Sequence, residues 1–274
     1  MPEADTVPEG VDPARPSPAR MYDYYLGGTH NYEADRQAAE QLRQRMPELA
    51  DAAWANRGFH GRAAIWMAEQ GIRQFIDIGC GLPAPSNTHE AVRKVSPDVR
   101  VVYVDHDPMV AAGRAPLLAP DGRTAFVAAD LRDPDSVLGH PELRRLIDVR
   151  EPAGVLMTAV LHYVADGSDP RGLVGRYMTA MAPGSYLALS HLTYDQLPPQ
   201  VAAVAQDIYE RAASSIHART REQVARLFDG LELVPAQPGG EPAVTFAGLW
   251  GAEDLEAADS DGSRASYCGV ARRP

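Results

Sequence analysis

The feature that most constrains the fold is the stretch at residues 75–87, where an apolar strand runs into a glycine-rich turn. The turn has the order Asp77-x-Gly79-x-Gly81, and its glycines allow a sharp bend and a close approach of a ligand to the backbone. Asn87 is a candidate N-cap for a following helix. A strand, a glycine-rich turn and a helix in this order predict the nucleotide-binding corner of a doubly wound α/β sheet.

Further apolar runs also end in polar residues. The run at residues 101–104 ends at Asp105, at a distance from the glycines close to the roughly 20 residues at which an acid binds ribose hydroxyls. The run at residues 125–129 ends at Asp130, and a third run covers residues 154–160. Because open α/β sheets bind ligands at the carboxyl ends of their strands, we expect these residues to meet at one edge.

The acid before the glycines bears on the kind of ligand. Asp77 would place a carboxylate close to phosphates, whereas the ammonium group of S-adenosylmethionine would be attracted to it. A formal dinucleotide fingerprint does run from Gly79 to Ala84. Pro83 and Pro85 argue against it, since a pyrophosphate should meet free backbone N–H groups at a helix start. The sequence therefore favours S-adenosylmethionine, with an NAD(P)-dependent oxidoreductase as the less favoured alternative.

The chain resembles the actinobacterial-type S-adenosyl-L-methionine-dependent methyltransferases, a family of the class I methyltransferase fold formerly described as a domain of unknown function. The resemblance covers roughly residues 14–272, and the segments that carry it are residues 20–28, 71–83, 102–108 and 182–187. It implies a Rossmann-like, seven-stranded, mostly parallel sheet with an antiparallel last strand, preceded by an N-terminal helical extension. It implies S-adenosyl-L-methionine as the cofactor, but no particular acceptor.

The residues assigned to the cofactor site lie at the glycine turn, at the strand ends and in an aromatic N-terminal segment. They are Asp77, Gly79, Cys80, Gly81, Asp105, His106, Asp130, Leu131, Ala159, Tyr22 and Tyr25. Tyrosine faces can support the sulfonium cation, and Asp130 can accept a hydrogen bond from the adenine amino group. As structural alternatives, Asp77 caps its own turn, Asp105 caps a helix, and Asp133 takes the place of Asp130.

Two histidines are candidates for proton transfer. His162 follows the fourth strand and is the predicted catalytic residue, a general base, and His191 after the fifth strand is the second candidate. Either can instead be a hydrogen-bonded structural histidine. The histidines show no metal-ligand spacing such as His-x-x-x-His, so we expect no metal site. A nucleophilic role for Cys80 is not expected, because no base is adjacent to it in the sequence.

Charge and composition bear on partners and location. The net charge of −11 disfavours a nucleic-acid partner. No apolar run approaches the roughly 18 residues that a membrane span needs, and the acidic N-terminus lacks the features of a secretion signal. We therefore expect a cytoplasmic enzyme that acts on a small-molecule acceptor, with its oligomeric state open. A sensor or partner module that binds S-adenosylmethionine without turnover is an alternative.

The chain divides into a proline-rich, mobile N-terminus at residues 1–18, a helical cap at residues 19–70 and a methyltransferase domain at residues 71–274. The domain carries a helical insertion at about residues 195–228, and we expect residues 236–248 to form a loop. The apolar faces of the cap are assigned to Trp54, Phe59, Ile65, Trp66 and Met67.

We expect residues 20–32 and the insertion to cover the acceptor pocket together, because the strand ends alone would leave the methyl group open to water. The polar and aromatic contacts would come from Tyr22, Tyr25, His30 and Asn31 on one side and from Tyr194 and Tyr209 on the other.

Overall fold

The computed structural model describes residues 7–114, 122–197, 200, 202–203 and 215–274. Part of the expected helical insertion, residues 198–199, 201 and 204–214, lies outside these residues, and so does Tyr209 within it. The described residues form one eight-stranded sheet. In chain order, its strands are β1 (Gln74–Ile78), β2 (Arg100–Asp105), β3 (Thr124–Ala128), β4 (Gly154–Thr158), β5 (Tyr186–Leu192), β6 (Glu232–Leu233), β7 (Thr245–Phe246) and β8 (Ser266–Arg272).

The strand order is β3-β2-β1-β4-β5-β8-β6, with β7 also paired to β8. Strands β1 to β5 are parallel to one another, and β8 runs antiparallel to β5, β6 and β7. This confirms the doubly wound, mostly parallel sheet with an antiparallel last strand. The eighth strand, β7, falls in the segment that we expected to be a loop, because a two-residue strand is too short to show a period in the sequence.

The helices on both faces follow from the apolar strands, which need cover on each side. Ile76 and Ile78 point into one core with the helices that follow β3 and β4, and Phe75 points into the other core with the long third helix. The helices of the described residues are α1 (Pro18–Tyr25), α2 (Glu33–Arg43), α3 (Leu49–Glu69), α4 (Thr88–Arg93), α5 (Pro108–Arg114), α6 (Pro134–Gly139), α7 (Pro141–Leu146), α8 (Pro170–Ala180), α9 (Arg221–Arg226) and α10 (Leu255–Ala258).

Helix α3 buries only part of the apolar face that the sequence predicted, and Ile65 and Trp66 are half-buried. Phe59 and Met67 are fully buried against the sheet, whereas Trp54 is 47% exposed. The assignment of Trp54 to the buried face was wrong, because five residues of helix turn its side chain well away from that of Phe59. The helices α1 to α3 precede the sheet in the chain, as the predicted N-terminal extension requires.

The N-terminal segment is attached to the sheet edge by polar contacts. Arg20 on α1 forms a buried ion pair with Asp35 on α2 at 2.7 Å and donates a second hydrogen bond to the carbonyl of Asp12 at 3.1 Å. The hydroxyl of Ser17 donates to Asp107 beyond β2 at 3.0 Å. These contacts bring the first two helices over the carboxyl ends of the strands. No helix within the described ranges is long and apolar enough to cross a membrane.

Candidate functional site

A cavity of about 580 Å³ lies between the carboxyl ends of β1 to β4 and the N-terminal helices. Its volume is in the range of small-molecule sites. Every residue predicted to contact the cofactor lines this cavity, and so does His162. The cofactor candidates along its wall are Asp77, Gly79, Cys80, Gly81, Asp105, His106, Asp130, Leu131, Ala159, Tyr22 and Tyr25.

The glycine turn is built for close backbone approach. The N–H groups of Gly79 and Cys80 both donate to the carbonyl of Val104, at 2.8 and 3.2 Å, which ties the end of β1 to β2. Gly79 has a φ of +67°, and a Cβ atom there would overlap a methyl group of Val160. Gly81 has a φ of +62° and open space on the side where a Cβ would lie. The turn therefore needs glycine at both positions.

Asp105 is held in a fixed orientation at the end of β2. Its carboxylate accepts hydrogen bonds from the backbone N–H groups of Gly81 at 2.9 Å and Asp107 at 3.0 Å. The side chain is only 10% exposed, and this burial raises the pKa of Asp105 above its ordinary value. Asp107 itself caps α5 by accepting from the N–H of Met109 at 2.8 Å. The helix cap is thus supplied by Asp107, and Asp105 faces the cavity.

Asp130 and Asp133 also have separate roles, one at the cavity and one as a helix cap. Asp133 caps α6 by accepting from the N–H of Ser136 at 3.2 Å. Asp130 lines the cavity and accepts hydrogen bonds from the backbone and guanidinium of Arg132, which lower the pKa of Asp130. Leu131 between them is buried. The end of β3 therefore places the carboxylate of Asp130, paired with Arg132, beside the apolar side chain of Leu131.

Arg114, which the sequence analysis did not identify, stabilises the glycine turn from behind. Its side chain is 1% exposed, and its guanidinium donates to the carbonyls of Cys80 at 2.9 Å and Gly81 at 3.1 Å. It also donates to Oδ1 of Asn87 at 2.9 Å and lies over the ring of Tyr103, 4.2 Å from its centroid. Every residue type has a backbone carbonyl, so a sequence pattern cannot show which residues such an arginine contacts.

His60 on α3 is a second residue that the sequence analysis missed. Its Nε2 lies 2.8 Å from Oγ1 of Thr88, and its Nδ1 lies 2.8 Å from Oγ1 of Thr158. The hydroxyl of Thr88 donates to Oδ2 of Asp77 at 2.6 Å. Burial lowers the pKa of His60 to about 4, so the ring is neutral at neutral pH. These four residues form a continuous hydrogen-bonded chain, and all of them except the buried Thr88 line the cavity.

The two candidate bases have different surroundings. His162 lines the cavity and is buried, and its Nδ1 accepts from the backbone N–H of Leu192 at 3.5 Å. Burial and the neighbouring His191 and Arg219 hold the pKa of His162 well below its ordinary value. His191 does not line the cavity: its Nε2 lies 2.6 Å from the guanidinium of Arg219, and burial lowers its pKa to about 3. Of these two candidate bases, only His162 can contact a ligand in the cavity.

The aromatic N-terminal segment reaches the cavity through its tyrosines. Tyr22 and Tyr25 on α1 line the same cavity as the strand ends. The hydroxyl of Tyr22 donates to the carbonyl of Ala53 at 3.0 Å and accepts from Nδ2 of Asn56 at 2.8 Å, and burial raises the pKa of Tyr22. Asn56 in turn accepts a hydrogen bond from the hydroxyl of Ser190 on β5. The segment is therefore linked to the sheet through side chains.

Other residues expected above the pocket lie elsewhere. The side chain of His30 is 48% exposed, and Asn31 donates to Asp23 at 2.8 Å; neither lines the cavity. Their positions follow from Asp23, whose carboxylate holds the loop that contains them. Tyr194 packs beside the N-terminal helices, where burial raises its pKa to about 12, and does not line the cavity either. From the described part of the insertion, Ile216 does.

The polar groups that line the cavity fit S-adenosylmethionine. Three carboxylates, of Asp77, Asp105 and Asp130, line the cavity around the glycine turn. Helix α4 begins only at Thr88, several residues beyond the glycines, and the N–H of Gly81 is already bonded to Asp105. A pyrophosphate would find acids there instead of free N–H groups. A cationic ligand with ribose hydroxyls and an adenine matches these groups.

The sheet order, the glycine turn and the acidic strand ends together define a class I, S-adenosylmethionine-dependent methyltransferase. The family is the S-adenosyl methyltransferase family, whose model matches residues 4–274, and the chain belongs to it. S-adenosyl-L-methionine is accordingly the cofactor. Among curated proteins no significant match is found.

Solved structures agree with this assignment. The chain is similar to a candidate methyltransferase from Thermobifida fusca YX, with 39% identity, a TM-score of 0.88, and coverage of 98% of this chain and 99% of that one. It is also similar to a protein of the DUF574 family from Streptomyces avermitilis, with 39% identity, a TM-score of 0.87, and coverage of 95% and 98%. An O-methyltransferase family protein from Burkholderia thailandensis, 16% identical with a TM-score of 0.51, covers 90% of this chain and 66% of its own and shares the fold.

Proposed function

We propose that this protein transfers the methyl group of S-adenosylmethionine to a small-molecule acceptor bound between the sheet edge and the N-terminal helices. The observation that carries the proposal is the single cavity that joins the acidic strand ends to Tyr22 and Tyr25. A cavity of about 580 Å³ with walls from both parts of the chain suits a cofactor and a small partner. The net charge of −11 disfavours a nucleic-acid acceptor.

The cofactor site of this proposal uses the residues around the glycine turn. Asp105 would accept hydrogen bonds from the ribose hydroxyls, and Asp77 would attract the ammonium group of the amino-acid part. Asp130 and Leu131 would hold the adenine, the first through its amino group and the second through apolar contact. His106, whose side chain is 64% exposed, would contact the cofactor at the mouth of the cavity. The remaining contacts would come from Gly79, Cys80, Gly81 and Ala159.

S-adenosylmethionine, when bound, supplies an activated methyl group on a sulfonium. The residues of the chain therefore have to align the acceptor with that methyl group and exclude water. Tyr22 and Tyr25 are suited to both tasks, because they line the cavity together with the strand ends and aromatic faces support a cation. Cys80 has no nucleophilic part in this proposal, since burial raises the pKa of its thiol well above the ordinary value.

His162 is the proposed catalytic residue. A neutral imidazole that accepts at Nδ1 carries its proton at Nε2, where it can donate a hydrogen bond to an acceptor oxygen or nitrogen. The pKa of His162, held well below neutrality by burial, makes the ring a weak base. This environment favours orientation of the acceptor over removal of a proton from it.

Calorimetry and mass spectrometry test the proposal. We expect S-adenosylhomocysteine to bind with saturation, and NAD or NADP to show no saturable binding at the same concentrations. Incubation with S-adenosylmethionine and a metabolite extract should then yield S-adenosylhomocysteine together with a product heavier by one methylene. Nicotinamide binding in place of S-adenosylhomocysteine would contradict the cofactor site. Tight cofactor binding without turnover in any extract would instead support a sensor.

A further inference from the structure

The hydrogen-bonded chain through His60 joins two strand ends to a helix outside the sheet. Asp77 is the penultimate residue of β1 and Thr158 is the last residue of β4, and both line the cavity. Thr88 starts α4 and is fully buried. His60 comes from the middle of α3, and its Nε2 also lies 3.7 Å from Oδ2 of Asp77. The N-terminal cap thus contacts the glycine-turn acid directly, through a side chain that no spacing in the sequence indicates.

The direction of each hydrogen bond in this chain is determined. An ionised carboxylate only accepts, so the single hydroxyl hydrogen of Thr88 points to Asp77. His60 must then donate from Nε2 to Thr88, and its unprotonated Nδ1 accepts from the hydroxyl of Thr158. The reverse direction would leave Asp77 facing a hydroxyl lone pair. Every donor of the chain is therefore used within it.

The consequence is that only acceptor atoms remain for a ligand. The hydroxyl hydrogen of Thr158 is taken by His60, so its oxygen offers lone pairs to the cavity. Oδ2 of Asp77 is occupied by Thr88, and Oδ1 accepts no hydrogen bond from any described residue. A pair of acceptors on a buried floor suits a cationic N–H donor.

We propose that His60 is a positioning residue that fixes Asp77 and Thr158 as paired acceptors for the ammonium group of the cofactor's amino-acid part. The inference rests on the proposed cofactor site, and it makes the N-terminal cap a contributor to cofactor binding as well as a cover for the acceptor. If His60 had only a structural role, it would need only to be buried and hydrogen-bonded. A positioning role requires in addition that its effect depend on the ammonium group of the ligand.

Two ligands separate these roles. S-adenosylhomocysteine carries the ammonium group, whereas 5′-methylthioadenosine has the same nucleoside and sulfur without the amino-acid part. We expect Thr88→Val and His60→Phe to weaken S-adenosylhomocysteine binding about tenfold in calorimetry and to leave methylthioadenosine binding unchanged. His89→Phe is the matched control, because His89 is a buried histidine that bonds Tyr103 and does not line the cavity. His89→Phe should change neither the affinity for S-adenosylhomocysteine nor that for methylthioadenosine.

Each other outcome is decisive. Equal weakening of both ligands, or of neither, would overturn the inference and leave His60 a structural residue. If His60→Phe fails to fold, by circular dichroism, Thr88→Val alone decides, since it keeps the branched shape and removes only the hydroxyl through which His60 reaches Asp77. A wild-type protein that binds S-adenosylhomocysteine no more tightly than methylthioadenosine also overturns it. A wild type that binds neither ligand overturns the proposed cofactor site itself.

Discussion

The carboxylate of Asp105 accepts a hydrogen bond from the backbone N–H of Gly81 at 2.9 Å. This contact joins the end of β2 to the turn after β1, so the acid and the glycine backbone move as one unit. The second oxygen of Asp105 accepts from the N–H of Asp107 at 3.0 Å, which fixes the plane of the carboxylate. An acid held in this way is preorganised to bind a ligand, because little rotamer freedom remains to be lost.

Replacement of Asp105 should therefore weaken cofactor binding selectively. We expect Asp105→Ala to weaken S-adenosylhomocysteine binding by about 1.5–3 kcal/mol, as a charge-assisted hydrogen bond to the ribose is lost. Calorimetry measures the change, and Asp148→Ala is the control, since Asp148 pairs with Arg150 in an exposed loop. Unchanged affinity in Asp105→Ala would remove this carboxylate from the cofactor site.

Arg114 should matter more for stability than any exposed arginine. We expect Arg114→Met to lower the free energy of unfolding by about 2–4 kcal/mol, because the half-buried carbonyls of Cys80 and Gly81 lose their donor. Urea denaturation of Arg150→Met provides the comparison, and we expect a change within about 0.5 kcal/mol for this exposed ion pair. Equal effects of the two substitutions would show that the guanidinium of Arg114 does not support the turn.

The acidic strand ends could be predicted because each one follows directly on an apolar run. Asp77, Asp105 and Asp130 lie far apart in the sequence, but parallel pairing of β1, β2 and β3 necessarily brings their carboxyl ends together. The same argument placed His162 beyond β4. Residues whose position depends only on strand direction and strand order can therefore be predicted from the sequence.

Arg114 and His60 could not be predicted in this way. The partners of Arg114 are mainly backbone carbonyls, which carry no residue type, and those of His60 come from α4 and β4, two elements that only the tertiary fold brings to α3. The exposure of Trp54 has a similar cause, since apolar content alone does not say which side of α3 faces the sheet. Sequence patterns indicate elements and their ends, whereas contacts between distant elements require the fold.

Buried histidines should make stability fall in mild acid. His60 has a pKa lowered by burial to about 4, against about 6.5 in an unfolded chain. A lowered pKa means that the unfolded chain takes up the proton first, so the stability from this group is complete above pH 6.5 and is lost as the pH falls toward 4. Between pH 7 and pH 5 the loss from His60 should be about 2 kcal/mol.

The comparison of wild type with His60→Gln isolates this contribution, because all other titrating groups are shared. Urea denaturation at several pH values should show that the stability advantage of the wild type shrinks as the pH falls from 7 to 5. An advantage that stays constant over this range would mean that His60 is not buried as a neutral ring.

The cover over the acceptor pocket should respond to the cofactor. Tyr22 and Tyr25 line the cavity from α1, and Ile216 lines it from the described end of the insertion. Ligand that fills the space between these side chains and the strand ends should restrain both segments, since opening either would expose buried surface to water. We therefore expect residues 20–32 and the segment around Ile216 to exchange amide hydrogens more slowly when S-adenosylhomocysteine is bound.

Hydrogen exchange followed by mass spectrometry measures this protection peptide by peptide. The loop at residues 148–151, on the far side of β4 from the cavity, is the internal control and should exchange at the same rate with and without ligand. His30 and Asn31, which lie outside the cavity wall, should gain protection only through the Asp23 carboxylate that holds their loop. Protection confined to residues 77–81 would mean that neither segment covers the pocket. The acceptor would then have to bind outside the cavity that Tyr22 and Tyr25 line.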